Sequence, residues 1–185
     1  MISITTNFPQ VAVALAQVQQ ALGDQVLARA LNRTIDQAKT RMSREIRVNY
    51  QLSASYVRDR LRIKRAIGRG GQFNLSAELI GGDGKRRSAN VIGFGARPNA
   101  QGISVLISKG QRKTISHAFI GNKGRTVFIR TSKARLPIEP VRTIDVPQMF
   151  TARRVNAAVM AAIDSRFPAI FERELAYALS KLAQP

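Results

Sequence analysis

Residues 102–131 read GISVLISKGQRKTISHAFIGNKGRTVFIRT, and this stretch decides the fold class. Ile103, Val105 and Ile107 recur at the two-residue period of a half-buried antiparallel strand. Gly121-Asn122-Lys123-Gly124 is a hairpin turn, because Gly and Asn accept positive φ at little cost. Strands are therefore expected over Ile103–Ser108, Ser116–Ile120 and Thr126–Thr131. Upstream, Arg62–Ile67, Leu75–Ile80 and Asn90–Phe94 have the same character, divided by glycine clusters, with Gly82-Asp83-Gly84 as a second hairpin turn. Six short strands with no helix between them argue against a doubly wound fold and predict a central antiparallel β-sheet.

Helices are expected on both sides of that sheet. Val11, Leu15, Val18 and Leu22 share one arc of an ideal helix, and Leu27, Leu31, Ile35, Ala38, Met42 and Ile46 share the opposite one. The change of register predicts a short first helix, a break at Gly23-Asp24 and a long second helix. Arg29, Arg33, Arg44 and Arg47 lie opposite the second stripe and form a basic face, either plain solvent surface or a binding surface. Ser53 is placed to cap a short helix over Ala54–Leu61 with Tyr56, Val57 and Leu61 inward. Asp145 and Pro147 mark a helix start. The helix from about residue 148 carries Val155, Val159, Ala162 and Ile163 on one face, and Pro168 is expected to kink or interrupt it before Ala169–Leu182. The class is α+β in one domain over residues 1–185, with a helical region 1–61, a basic β-rich region 62–143 and C-terminal helices over 145–182.

Charge narrows the partners. The chain has 30 Lys+Arg against 11 Asp+Glu, a net charge of +19. Between Asp83 and Glu139 there is no acid, while the cations are Lys85, Arg86, Arg87, Arg97, Lys109, Arg112, Lys113, Lys123, Arg125, Arg130, Lys133 and Arg135. A block this one-sided calls for a polyanion or acidic neighbouring chains. The first ten of these residues are the candidate DNA-facing or channel-facing positions. Aromatics are sparse, with no Trp, and Phe94, Phe119 and Phe128 of the basic middle show no paired stacking platform in sequence. Contact with the phosphate backbone, or a bulk electrostatic field, is therefore expected, without base readout.

A search for catalytic chemistry finds little. With no Cys and one His, disulfides, zinc–thiolate centres, thiol catalysis and His-cluster metal sites are all excluded. Lys85 follows Gly84, but Leu79 and Arg86 stand where a phosphate-binding loop needs Gly and Ser/Thr. Gly93-Phe94-Gly95 lacks the third glycine and the helix of a dinucleotide site. His117 lies inside a strand-like run and reads as a structural or surface residue. Asp145, Asp164 and Glu172 would have to converge in space to hold a nuclease metal. The first cation is Arg29, so no signal-peptide start is expected, and no stretch is apolar enough to span a bilayer. The expectation is a protein without enzymatic activity, cofactor, metal or membrane partner.

A set of landmarks then acquires meaning through its order. Ala30-Leu31-Asn32-Arg33 is followed by Val57-Arg58-Asp59-Arg60-Leu61-Arg62-Ile63-Lys64-Arg65-Ala66, by Ala118-Phe119-Ile120, by Leu136-Pro137-Ile138 and Val146-Pro147, and finally by Glu174-Leu175-Ala176-Tyr177-Ala178-Leu179. This order resembles the minor tail protein Z family of lambda-like, long-tailed bacteriophages and prophages, over roughly residues 25 to 182. The resemblance implies a structural protein of tail completion at the head-proximal end of the tail, joining tail to head. It further implies a homo-oligomeric ring, contacts with other tail or connector proteins, and weak non-specific contact with passing double-stranded DNA. Localisation would be the virion tail, with the host cytoplasm during assembly. The alternative carried by charge alone is a non-specific nucleic-acid-binding protein of nucleoid or ribosomal type.

Overall fold

The apolar stripe from Leu27 to Ile46 forms one helix, α1 (Gln20–Asn49), in the computed structural model, which describes residues 1–4, 20–69, 72–82 and 88–182. Leu27, Leu31, Ile35, Ala38, Met42 and Ile46 are all at most 3% exposed, so the predicted face is the buried face. The predicted break does not occur: the helix runs through Gly23 and Asp24. Glycine inside a helix costs only about 1 kcal/mol relative to alanine, and burial of the continuing stripe outweighs it. Close packing also marks this turn, since a Cβ on Gly68 would collide with the Asp24 carbonyl. The earlier stripe of Val11, Leu15 and Val18 lies outside the described residues.

The α+β class holds, with the helices towards the two ends and short antiparallel strands between. The strands are not joined into one sheet; among the described residues they form five small antiparallel ones. The chain divides into two compact units, each built from separate segments, and α1 contributes to both.

The first unit comprises Met1–Met42, Leu61–Gly81 and Arg153–Pro185. Its three-stranded sheet places β5 (Ala77–Gly81) between β1 (Ile2–Ile4) and β2 (Leu61–Lys64), and a separate hairpin joins β3 (Ile67–Arg69) to β4 (Gln72–Asn74). The C-terminal helix, α4 (Arg153–Leu182), lies antiparallel to α1, as Arg33 pairs with Glu174 and Arg166 donates to Gln37. Val155, Val159, Ile163, Phe167 and Phe171 are buried along it, and the two phenylalanine rings stack 6.3 Å apart. Pro168 sits inside α4 without interrupting it. An interior proline costs about 3 kcal/mol, but Phe167, Ile170 and Phe171 around it are all buried, and each contributes about 1.5–3 kcal/mol.

The second unit comprises Ser43–Arg60 and Gly82–Ala152. Helix α2 (Ala54–Asp59) is capped by Ser53, whose Oγ accepts from the Tyr56 amide at 3.3 Å. Helix α3 (Val146–Thr151) begins in a capping box: Asp145 accepts from the Val146 amide at 2.7 Å, and its own amide donates to the Gln148 side chain at 2.9 Å. Two three-stranded sheets follow, β7 (Arg97–Asn99)–β8 (Gly102–Val105)–β9 (Lys113–Ser116) and β10 (Ala118–Gly121)–β11 (Thr126–Arg130)–β12 (Ile138–Pro140). A two-stranded pair joins β6 (Ala89–Asn90) to β13 (Arg142–Thr143). Val91, Ile103, Val105, Ala118 and Val127 form a core shared by these elements.

Three strand expectations change in this unit, and the first is that Ile103–Ser108 ends as a strand at Val105. Asn90–Phe94 is a strand only at Asn90; Val91–Phe94 is a 3₁₀ turn that the Asn90 side chain caps through the Ile92 amide and Gly95 ends at φ 64°. Its three-residue period buries Val91 and Phe94 together. Ser116–Ile120 is divided at His117, where φ is 59° and the amide donates to the Gln101 carbonyl at 3.0 Å. That corner separates β9 from β10.

Candidate functional site: the basic surface of the second unit

Three acids of the first unit are ion-paired. Buried Glu174 meets Arg33 at 2.7 Å, Glu78 meets Lys64 at 3.1 Å, and Asp36 takes both terminal nitrogens of Arg65. Asn32 clamps the main chain of Ala66 from both sides, donating to its carbonyl and accepting from its amide, each at 2.9 Å. In the second unit, Asp145 accepts from the Tyr56 hydroxyl at 3.1 Å and faces Arg60 Nε at 3.6 Å, while the Arg60 guanidinium lies 3.5 Å from the centre of the Tyr56 ring. Burial of the Tyr56 hydroxyl, reinforced by the charge of Asp145 and partly offset by Arg60, pushes its pKa up to about 12.

The basic middle is organised differently. Lys85, Arg86 and Arg87 lie outside the described residues. Arg97, Lys109, Arg112, Lys113, Lys123, Arg125 and Arg130 are all exposed, and among the described residues none of the seven pairs with a carboxylate. Arg97 stands opposite Ser104 in the β7–β8 register, and Arg112 Nη1 approaches the Ser104 hydroxyl at 3.3 Å and the Gly95 carbonyl at 3.4 Å. Ser104 is thus tied to Arg97 by register and to Arg112 by contact. Lys113 opens β9, opposite Val105. Lys109 follows the bridge between Tyr50 and Ser108, its amide bound to the Asn49 carbonyl. Lys123 and Arg125 occupy the β10–β11 turn, where Asn122 and Lys123 both have positive φ and the Asn90 side chain donates to the Arg125 carbonyl. Of the arginines on the second α1 stripe's opposite face, all four are exposed, but Arg33 is engaged by Glu174.

Arg130 occupies a setting that the sequence reading missed. In the β10–β11 hairpin Phe119 stands directly opposite Phe128, their ring centres 6.0 Å apart and their planes tilted by 30°. The Arg130 guanidinium lies 4.8 Å from the centre of the Phe119 ring. Directly opposed residues share a face of the sheet. Phe119, Phe128 and Arg130 are therefore on one face, and Ala118, Ile120, Val127 and Ile129 are on the other. The absence of a paired aromatic platform, inferred from composition, is thus corrected. The signal was present: with Gly121 opposite Thr126 across the turn, positions 119 and 128 must pair.

Among the described residues, no group of three His, Asp or Glu side chains is gathered to hold a metal, so Asp145, Asp164 and Glu172 do not form such a cluster. Asp145 is committed to capping α3 and to Tyr56. His117 is exposed at the β9–β10 corner. No described helix is long and apolar enough to cross a membrane.

The fold is thus α+β, with Glu174, Glu78, Asp36 and Asp145 paired to cations of the framework and the cations of residues 97–130 exposed. The family model for prophage minor tail protein Z matches residues 10–184, and the chain belongs to that family. No curated protein and no solved structure matches it. The family match extends further towards the N-terminus than about residue 25, where the resemblance read from the sequence begins.

Proposed function

We propose that this phage minor tail protein acts in tail completion, at the head-proximal end of the tail, where it prepares the tail to join a head. The observation that carries this reading is the family match over nearly the whole chain. The surface supports it: exposed cations without carboxylate partners favour neighbours that supply negative charge, whether acidic faces of adjoining tail or connector proteins or the phosphates of passing DNA. Copies of one subunit joined through a heterologous, head-to-tail interface close into a ring when the rotation permits. Such a ring around the DNA path, assembled in the host cytoplasm and retained in the virion tail, is the arrangement we favour. Its contact with duplex DNA would be weak and salt-sensitive, because a passage must neither repel the polymer nor hold it.

The test is to interrupt the reading frame in an inducible parent phage, image the released particles by electron microscopy and count infectious units in the same lysate. Unjoined or defective tails with few infectious particles, restored by supplying the protein in trans, are expected. Normal, fully infectious particles would overturn the reading.

A further inference from the structure

We propose that the outer face of the β10–β11 hairpin is a binding surface for single-stranded nucleic acid, with Phe119 and Phe128 each offering a ring to one base. The proposal stands on the geometry of this sheet and not on ring assembly, so it can fail while tail completion stands. The two half-buried rings sit side by side across adjacent strands. Gly121 lets the Phe128 ring lie against the strand, since a Cβ there would come within 2.9 Å of the ring. Rings held in this way need little further ordering when a base stacks on them, and stacking is open to any base because each has a π-face.

Charge selects the polymer. Arg130 lies over the Phe119 ring at one end of the face, so that a base there stacks on the guanidinium plane or takes its place on the ring, and exposed Lys123 and Arg125 occupy the turn at the other end. Along β11, Thr126 to Arg130 spans about 13 Å at the usual strand rise, so the rings lie between two cationic ends. The one acid of this sheet, Glu139, stands opposite Ile129 and so falls on the reverse face. A polyanion with exposed aromatic faces complements this arrangement. A duplex does not, because its bases are stacked on one another and beyond reach of rings lying on a sheet.

The experiment measures binding of the full chain, by fluorescence anisotropy at fixed ionic strength, to a thymidine decamer, an abasic decamer of equal length and a decamer duplex. The expected result is binding of the thymidine strand at least about fivefold tighter than either control, the lower end of what one stacked base contributes. Phe119→Leu and Phe128→Leu, which keep apolar cover on the sheet, should abolish that preference and leave the salt dependence unchanged. Lys123→Gln with Arg125→Gln should do the reverse. Equal binding of all three probes, no binding of any, or a preference that survives both leucine variants would overturn the proposal. Should the leucine variants unfold, photocrosslinking of an iodouracil-bearing decamer to the unaltered protein replaces them. A crosslink at Phe119 or Phe128 is then expected, and crosslinks confined to other residues would overturn the assignment.

Discussion

Asn32 has the most demanding position of the single residues. Its side-chain amide satisfies both main-chain groups of Ala66, a residue only 5% exposed. Asn32→Ala would leave that amide and carbonyl without partners, at a cost of about 2–3 kcal/mol, seen as a lower urea midpoint with an unchanged slope. Arg33, its neighbour, holds buried Glu174. The residues that carry the family resemblance near Ala30–Arg33 and Glu174–Leu179 are thus partners in space, and this part of the signature serves folding. Tyr56 gives a second residue-scale prediction. Its hydroxyl is raised from 10.0 to about 12, so the folded state holds that proton more tightly than the unfolded state. The resulting stability is fully present below pH 10 and disappears as pH rises from 10 towards 12. Absorbance titration should show a late tyrosine phase near pH 12, and Tyr56→Phe should remove it.

At the scale of elements, two expected interruptions of helices were overridden by burial. Gly23 and Pro168 are local breakers, yet α1 and α4 pass through both because their apolar faces continue beyond them. Pro168→Ala should therefore stabilise the protein by about 1 kcal/mol or more, since it restores a backbone donor inside a helix that is already formed. A melting temperature that falls instead would mean that the proline ring is itself a packing element. Caps were legible because their chemistry is local: Ser53 and Asp145 start α2 and α3 as their side chains dictate. The corner at His117 was not legible, because a residue with a Cβ at φ 59° is held there by a distant carbonyl, that of Gln101.

For the whole molecule, the net charge of +19 is divided between framework and surface. Framework acids neutralise Arg33, Arg60, Lys64 and Arg65, and the cations of residues 97–130 face solvent. Duplex binding should accordingly weaken as salt rises. Replacing Lys123 and Arg125 by Gln should reduce the slope of log affinity against log salt by about 0.9 for each phosphate that is no longer neutralised. An unchanged slope would place the DNA-facing surface elsewhere, with Arg97 and Arg112 beside Ser104 the next pair to alter.

Several properties of this protein are set by the order of residues alone. The α+β class, the buried stripe of α1, the two helix caps and the excess of cations over residues 84–138 depend on composition, periodicity and neighbours a few positions apart. These interactions are short in range, so a linear reading reaches them. What only the tertiary structure decided depends on pairs far apart in the chain. Asn32 meeting Ala66, Arg33 meeting Glu174, Tyr56 meeting Asp145 and the division of the strands into small separate sheets all belong here. The pairing of Phe119 with Phe128 is of the other kind, set by the register of one hairpin turn although composition hid it. Each of the long-range pairs joins groups whose proximity is a consequence of packing the whole core, and no local pattern in the sequence encodes it.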